Sequence, residues 1–232
     1  MKKNFFFIAG DISGDHHAAP VVKALRERYP DSVVQGIGGP AMVGEGFLPL
    51  MPFEPFNKMG FVEVAKNIFF FLNAKKKLIQ YLKDLRPDCL ICVDYPGLNF
   101  SMMKAAHKLG IPVVWYIAPM VWAWKKKRAA VLGKYASHIC CLFPFEVQYF
   151  KPYTSKVSFV GNPLVEAIER ETVSLKNKKT FQIAIVPGSR QQEIEKLLLP
   201  MVGAVDKIIK QFPHFSARVS YCKHLDRSCF SG

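Results

Sequence analysis

The chain has 232 residues, 50% of them hydrophobic, and a formal net charge of +14. That length admits one large domain or two modest ones with a real core, and no apolar run approaches the ~18 residues of a membrane span. The positive excess points to an anionic partner, whether nucleic acid, an anionic membrane surface or a phosphorylated substrate; no nucleic-acid reader motif occurs, which sets the first of these aside.

In chain order, Met1-Lys2-Lys3 ahead of Phe5-Phe6-Phe7-Ile8 imitates a signal peptide. The apolar stretch stops at Gly10-Asp11, short of the ~7–15 residues such a segment needs, so it reads as a buried strand, Phe5–Ala9, in a cytoplasmic protein. A helix is expected over Ala18–Tyr29, a strand over Val33–Ile37, a long helical stretch over Val62–Leu85 and a strand over Cys89–Val93. A helix over Phe100–Leu109, a strand over Val113–Ile117, a helix over Lys125–Tyr135 and strands over His138–Leu142 and Val157–Val160 follow. Continuous apolar strands separated by helices mean a parallel sheet covered on both faces. The polar stretch Arg170–Thr180 reads as a linker. Beyond it come strand Phe181–Val186, turn Pro187-Gly188-Ser189, helix Glu193–Gln211 and strand Ala217–Tyr221. One β-α-β unit falls short of the ~100 residues of an ordinary domain. The expected layout is a first domain at 1–170 and the start of a truncated second at 181–232, in a chain inactive as it stands.

Six cysteines include a C-x-x-C at Cys89 and Cys92 and the adjacent pair Cys140-Cys141, all within expected strands. Residues three apart on a strand face opposite sides. They read as small buried side chains in a reducing compartment, with no metal site and no cofactor expected.

Ligands of parallel α/β sheets gather at the C-terminal ends of strands, and three such loops stand out. Gly10-Asp11-Ile12-Ser13-Gly14-Asp15 offers two glycines, a hydroxyl and two carboxylates at a helix start. In Asp94-Tyr95-Pro96-Gly97-Leu98-Asn99, Asp94 sits at the rim of an apolar strand, where desolvation raises proton affinity and suits a general base. Pro187-Gly188-Ser189-Arg190, with Glu193 beyond, is a strand-turn-helix anion site with a guanidinium fork, able to hold a diphosphate without a metal. Ile68–Leu72 followed by Lys75–Lys77 has the composition of an interfacial helix seeking anionic lipid. Trp122 and Trp124 beside Lys125–Arg128 have the chemistry to meet acyl chains and phosphate.

These loops, with Met59-Gly60, Glu63-Val64, Trp122-Ala123-Trp124, Phe143-Pro144-Phe145-Glu146 and Gly161-Asn162-Pro163-Leu164, come in an order that resembles the lipid-A-disaccharide synthase family from about Phe6 to about Pro213. The resemblance implies an α/β fold of two Rossmann-like domains (GT-B type), the first binding the acceptor and the second, here incomplete, the UDP-sugar. It implies an inverting glycosyltransferase of lipid A biosynthesis, peripheral on the cytoplasmic face of the inner membrane. Such an enzyme joins UDP-2,3-diacylglucosamine to 2,3-diacylglucosamine 1-phosphate, giving a β-1,6-linked tetraacyl disaccharide 1-phosphate and UDP. Asp94 matches the family's base; Asp11, Ser13, Gly14, Asn99, Trp122 and Trp124 are expected at the acceptor, and Gly188, Ser189, Arg190 and Glu193 at the nucleotide. Three positions depart from the commoner pattern: Asp11 stands for glutamate, Ile12 for alanine and Lys125 for arginine. The competing readings are another two-domain sugar-nucleotide enzyme, such as a UDP-sugar epimerase, and a non-catalytic lipid-binding fragment.

Overall fold

The computed structural model describes residues 2–57, 68–170, 181–188 and 191–221. The chain divides into two compact units, Met1–Glu171 and Thr172–Gly232, each organised about its own sheet.

In the first unit seven strands pair in parallel: β1 (Asn4–Ala9), β2 (Val33–Ile37), β3 (Leu48–Pro49), β4 (Cys89–Val93), β5 (Val113–Tyr116), β6 (His138–Cys141) and β7 (Val157–Phe159). Their spatial order is β3-β2-β1-β4-β5-β6-β7. The helices are α1 (Ile12–Arg28), α2 (Pro40–Gly44), α3 (Glu54–Asn57), α4 (Ile68–Leu85), α5 (Pro96–Lys108), α6 (Lys127–Tyr135), α7 (Val147–Phe150) and α8 (Pro163–Arg170), with a 3-10 turn at Pro144–Glu146.

Strand alternation sorts the core into two layers. Phe6, Ile8, Leu90, Cys92 and Trp115 pack on one face against α4, α5 and α6, through Leu78, Leu82, Met102, Met103 and Leu132. Phe7, Ala9, Ile91 and Val93 pack on the other against Ala18 and Val22 of α1. Phe6, Phe7, Ile8 and Trp115 are fully buried, and each such side chain is worth about 2–3 kcal/mol relative to exposure. That burial explains why these strands are legible as unbroken apolar runs. Burial also pushes the Cys89 and Cys140 thiols up to about 11 and Cys141 to about 12, with Cys92 raised further still.

Helix α1 starts six residues before the expected Ala18. Asp11 caps it, its carboxylate accepting from the Gly14 N–H at 2.7 Å, which satisfies a donor the first turn would leave orphaned. The expected stretch Val62–Leu85 is helical from Ile68; its residues 62–67 lie outside the described ones. The short elements between β2 and α4 carry no strong sequence pattern and are held from a distance. Asp15, 2% exposed, reaches out of α1 and accepts from the backbone N–H groups of Gly39 (2.8 Å), Ala41 (2.9 Å) and Met42 (3.0 Å). It is the N-terminal cap that α2 lacks from its own residues. A Cβ at position 39 would lie 2.6 Å from the Asp15 carboxylate, so glycine is required there.

The second unit has a parallel pair, β8 (Gln182–Ile185) and β9 (Ser216–Val219), joined through α9 (Gln191–Gln211). Ile185, Ile194, Leu198 and Val205 form its small core.

Asp15→Asn leaves one oxygen where three backbone donors converge. It is expected to destabilise the chain by about 2 kcal/mol, the cost of an unsatisfied buried donor. Urea unfolding measures this, and an unmoved midpoint would show that the carboxylate does not brace α2.

Candidate active site

β1 and β4 are neighbours, with Ala9 beside Val93, yet the helices that follow them leave to opposite faces, α1 to one core layer and α5 to the other. That divergence opens a crevice at the C-terminal end of the sheet, the place where such folds bind ligands. The loops carrying Asp11 and Asp94 form its two lips.

The Asp94 loop is conformationally unusual. Asp94 (φ 39°) and Tyr95 (φ 44°) both adopt the left-handed region, at a cost of roughly 1–2 kcal/mol each. A set of contacts holds them there. Asn99, fully buried, donates its amide Nδ2 to the carbonyls of Asp94 (2.8 Å), Val93 (3.2 Å) and Ile8 (3.2 Å). The Asp94 N–H donates to the Tyr116 carbonyl at 3.0 Å, and the Tyr95 hydroxyl to the Phe56 carbonyl at 3.1 Å. The Tyr95 ring lies over Gly10 so closely that a Cβ there would come within 2.5 Å of it.

Thus placed, the Asp94 carboxyl is raised to about 6. Burial is the main cause and the negative charge of Asp11 adds to it; the positive Arg128 and the Tyr95 N–H oppose both. Burial also holds His17 below the ordinary imidazole value, against the pull of Asp11.

Two residues expected at the acceptor, Asn99 and Gly14, are buried within the frame of the site. Asn99 has its Nδ2 committed to backbone carbonyls and no exposed surface. Gly14 is buried, its N–H given to Asp11, and a side chain there would press on Asp11. Asp15, which stands in the same loop, has its carboxylate committed to α2. Asp11 is half-buried and Ser13 exposed at the lip. Trp122 and Trp124 are exposed in the loop after β5. The Trp122 indole donates to Glu146 at 3.4 Å and meets Phe145 edge-on at 5.5 Å. Glu146, buried, also accepts from the N–H groups of Leu142 (3.0 Å) and Phe143 (3.1 Å). The loops after β5 and β6 are thereby tied together, across a sequence gap that gave no sign of it. Arg128, read only as part of a basic cluster, is brought within electrostatic reach of Asp94.

In the second unit Gly188 follows β8 with φ 128°, and a Cβ there would lie 2.5 Å from the Glu193 carboxylate in the first turn of α9. Glu193 therefore folds back over the turn, where only glycine leaves it room. Ser189 and Arg190 lie outside the described residues.

A family model described as lipid-A-disaccharide synthetase matches residues 5–230. Curated lipid-A-disaccharide synthases of Francisella philomiragia subsp. philomiragia and Francisella tularensis subsp. novicida are 32% and 31% identical, over 93% of this chain. The chain spans 59% of the length of these relatives. Among solved structures, a putative UDP-N-acetylglucosamine 2-epimerase from Listeria monocytogenes aligns with all of this chain and 65% of its own, with a TM-score of 0.68 and 13% identity. CalG4, the calicheamicin glycosyltransferase, aligns with all of this chain and 68% of its own, with a TM-score of 0.55 and 11% identity. At such identities the likeness is of fold alone, two Rossmann-like domains of the GT-B kind, and it does not separate transferase from epimerase. The sequence match runs along nearly the whole chain at more than twice the identity.

The raised Asp94 has a consequence for stability. Between about pH 4 and 6 the folded chain keeps a proton that the unfolded chain has lost, so stability falls as pH rises through that window and the ionised carboxylate remains a cost above it. Asp94→Asn, which cannot ionise, is expected to match the parent at pH 3 and to exceed it by about 3 kcal/mol at pH 8. Urea unfolding at the two pH values tests it, and a variant no more stable at pH 8 would contradict the burial argument.

Proposed function

Since the chain belongs to the lipid-A-disaccharide synthetase family, we propose that it carries the acceptor side and part of the donor side of an inverting transferase. This transferase moves 2,3-diacylglucosamine from its UDP derivative to 2,3-diacylglucosamine 1-phosphate. The observation that supports the reading most is Asp94, an aspartate of raised proton affinity at the crevice between β1 and β4. A base near 6 is mostly ionised at neutral pH and takes a proton more readily than an ordinary carboxylate. Asp94 accepts the proton of the acceptor's 6-hydroxyl as that oxygen bonds to the anomeric carbon of the donor. The bond from that carbon to the diphosphate breaks on the opposite face, which inverts the configuration to β and releases UDP. Negative charge grows on the departing diphosphate and needs pre-aimed donors. The Gly188-Ser189-Arg190 turn and the start of α9 are the residues assigned to it. Asp11, Ser13, Trp122 and Trp124 are assigned to the acceptor.

No helix among the described residues is long and apolar enough to cross a membrane. Helix α4 supports a peripheral attachment to the cytoplasmic face of the inner membrane instead. Phe70 and Phe71 turn inward onto Phe56 at 5.2 and 6.4 Å, while Phe69 (78% exposed) and Leu72 (56%) face out near the exposed Lys76 and Lys77. Apolar residues with flanking lysines suit an acyl and phosphate boundary. Binding to vesicles containing phosphatidylglycerol is expected to weaken as salt rises, since screening acts over ~8 Å at physiological ionic strength. Equal binding to phosphatidylcholine vesicles at every salt concentration would leave only the hydrophobic half of this assignment.

Catalysis is tested on the chain fused to the portion of a Francisella relative that it does not span, assayed for UDP and disaccharide. Turnover is expected to rise with pH through about 6 and then level off. Asp94→Asn should lose that rise and ~10²–10⁴-fold of the rate with donor affinity kept. Near-normal turnover in the variant would move the base elsewhere.

A further inference from the structure

Arg128 lies in the first turn of α6, half-buried, at the end of the loop that carries the two exposed tryptophans. Its guanidinium stands 5.3 Å from the centre of the Phe100 ring and 5.0 Å from that of Trp124. The Lys125 ammonium sits 4.5 Å over the same indole, on a backbone held at φ 51°. Aromatic contact fixes the guanidinium by attraction to the ring electrons and leaves its N–H groups unspent. Among the described residues those groups find no carboxylate at ion-pair distance and no hydrogen-bond acceptor; the ion pair present there joins Lys3 to Asp88 instead. The Arg128 charge nonetheless acts on Asp94. The two groups act on each other through charge without forming an ion pair, on the loops that follow the adjacent strands β4 and β5.

We propose that Arg128, with Lys125 beside it, binds a phosphate monoester carried by the sugar whose hydroxyl Asp94 activates. The proposal rests on the transferase reading above and adds to it the residue that recognises the acceptor's anionic end. The chemistry of the pair fits a monoester dianion. The fork offers two parallel donors to two phosphate oxygens, and the ammonium supplies a point charge for the third. Phe100 and Trp124 give the anion an apolar flank, which lowers the local polarity on that side of the charged hydrogen bonds and strengthens them. A phosphodiester headgroup, with one charge fewer, would leave part of this set unused.

The chain itself tests the proposal, with no need for turnover. Glucosamine 1-phosphate is titrated while the Arg128 Nε–H and Trp124 indole signals are followed by NMR. Saturable shifts in both are expected, and none with glucosamine alone. Arg128→Gln should weaken binding by about tenfold or more, and Arg128→Lys should recover only part, because it restores charge without the fork. The core methyl signals of Leu78 and Leu82 report that the variants remain folded. Binding equal in parent and Arg128→Gln, or equal with unphosphorylated glucosamine, overturns the proposal. The same shifts produced by phosphatidylglycerol vesicles in place of the sugar phosphate would assign the site to a lipid headgroup and overturn it too. Loss of transfer in the fused enzyme, with this binding intact, would fault the transferase reading and leave the site standing.

Discussion

The buried amide of Asn99 is the brace on which the crevice depends. One side chain donates to the carbonyls of Ile8 at the end of β1 and of Val93 and Asp94 at the end of β4, so it joins the two strands where their helices part. Without it, two successive non-glycine residues in the left-handed region would relax toward ordinary backbone at a gain of roughly 1–2 kcal/mol apiece. The Asp94 carboxylate would then lose both its direction and its partial desolvation. The commitment of that amide to the frame explains why Asn99, in a loop otherwise rich in functional groups, is not itself available to a substrate.

Three carboxylates near the C-terminal end of this sheet are put to different uses by their surroundings. Asp15 is met by three backbone N–H groups and fastens α2 to α1. Glu146 is met by two N–H groups and an indole and fastens the loop after β6 to the one after β5. Asp94 has far fewer donors, a neighbouring negative charge and substantial burial, and is held well above the ordinary carboxylate range. Hydrogen bonds to a carboxylate favour its charged form, while burial and like charge favour the neutral one. The same residue class thus yields two structural ties and one carboxyl of raised proton affinity.

Strands were readable because an interior parallel strand is apolar on both faces. Val33–Ile37 and Cys89–Val93 were located from that signal with the ends the structure shows. The start of α1 was not, since Gly10, Ser13 and Gly14 have weak helix propensity and what wins is the Asp11 cap and the close approach of Gly14 to β4. The short elements from Pro40 to Asn57 were equally silent, because their partners lie in α1 and in Tyr95. At the site, the strand-end position and raised proton affinity that the sequence led one to expect of Asp94 are what the structure gives it. The tie between Trp122 and Glu146 spans 24 residues, and the stacking of Arg128 on Phe100 spans 28, distances at which no local pattern reports a contact.

The coupling of Arg128 to Asp94 gives the crevice a direction of action. In the free protein the guanidinium lowers the proton affinity of Asp94, against burial and against Asp11. A phosphate seated on Arg128 cancels that charge, so burial and Asp11 act with less opposition and the carboxylate becomes a stronger base. Linkage makes the effect reciprocal: whatever proton affinity the anion adds to Asp94, a proton on Asp94 returns as affinity for the anion. Under the proposed assignment, a sugar that brings its own phosphate would strengthen the carboxylate that takes its proton, and a sugar without one would meet a weaker base. Recognition of the anionic end and activation of the hydroxyl then become parts of one electrostatic event, carried by side chains from the loops after β4 and β5.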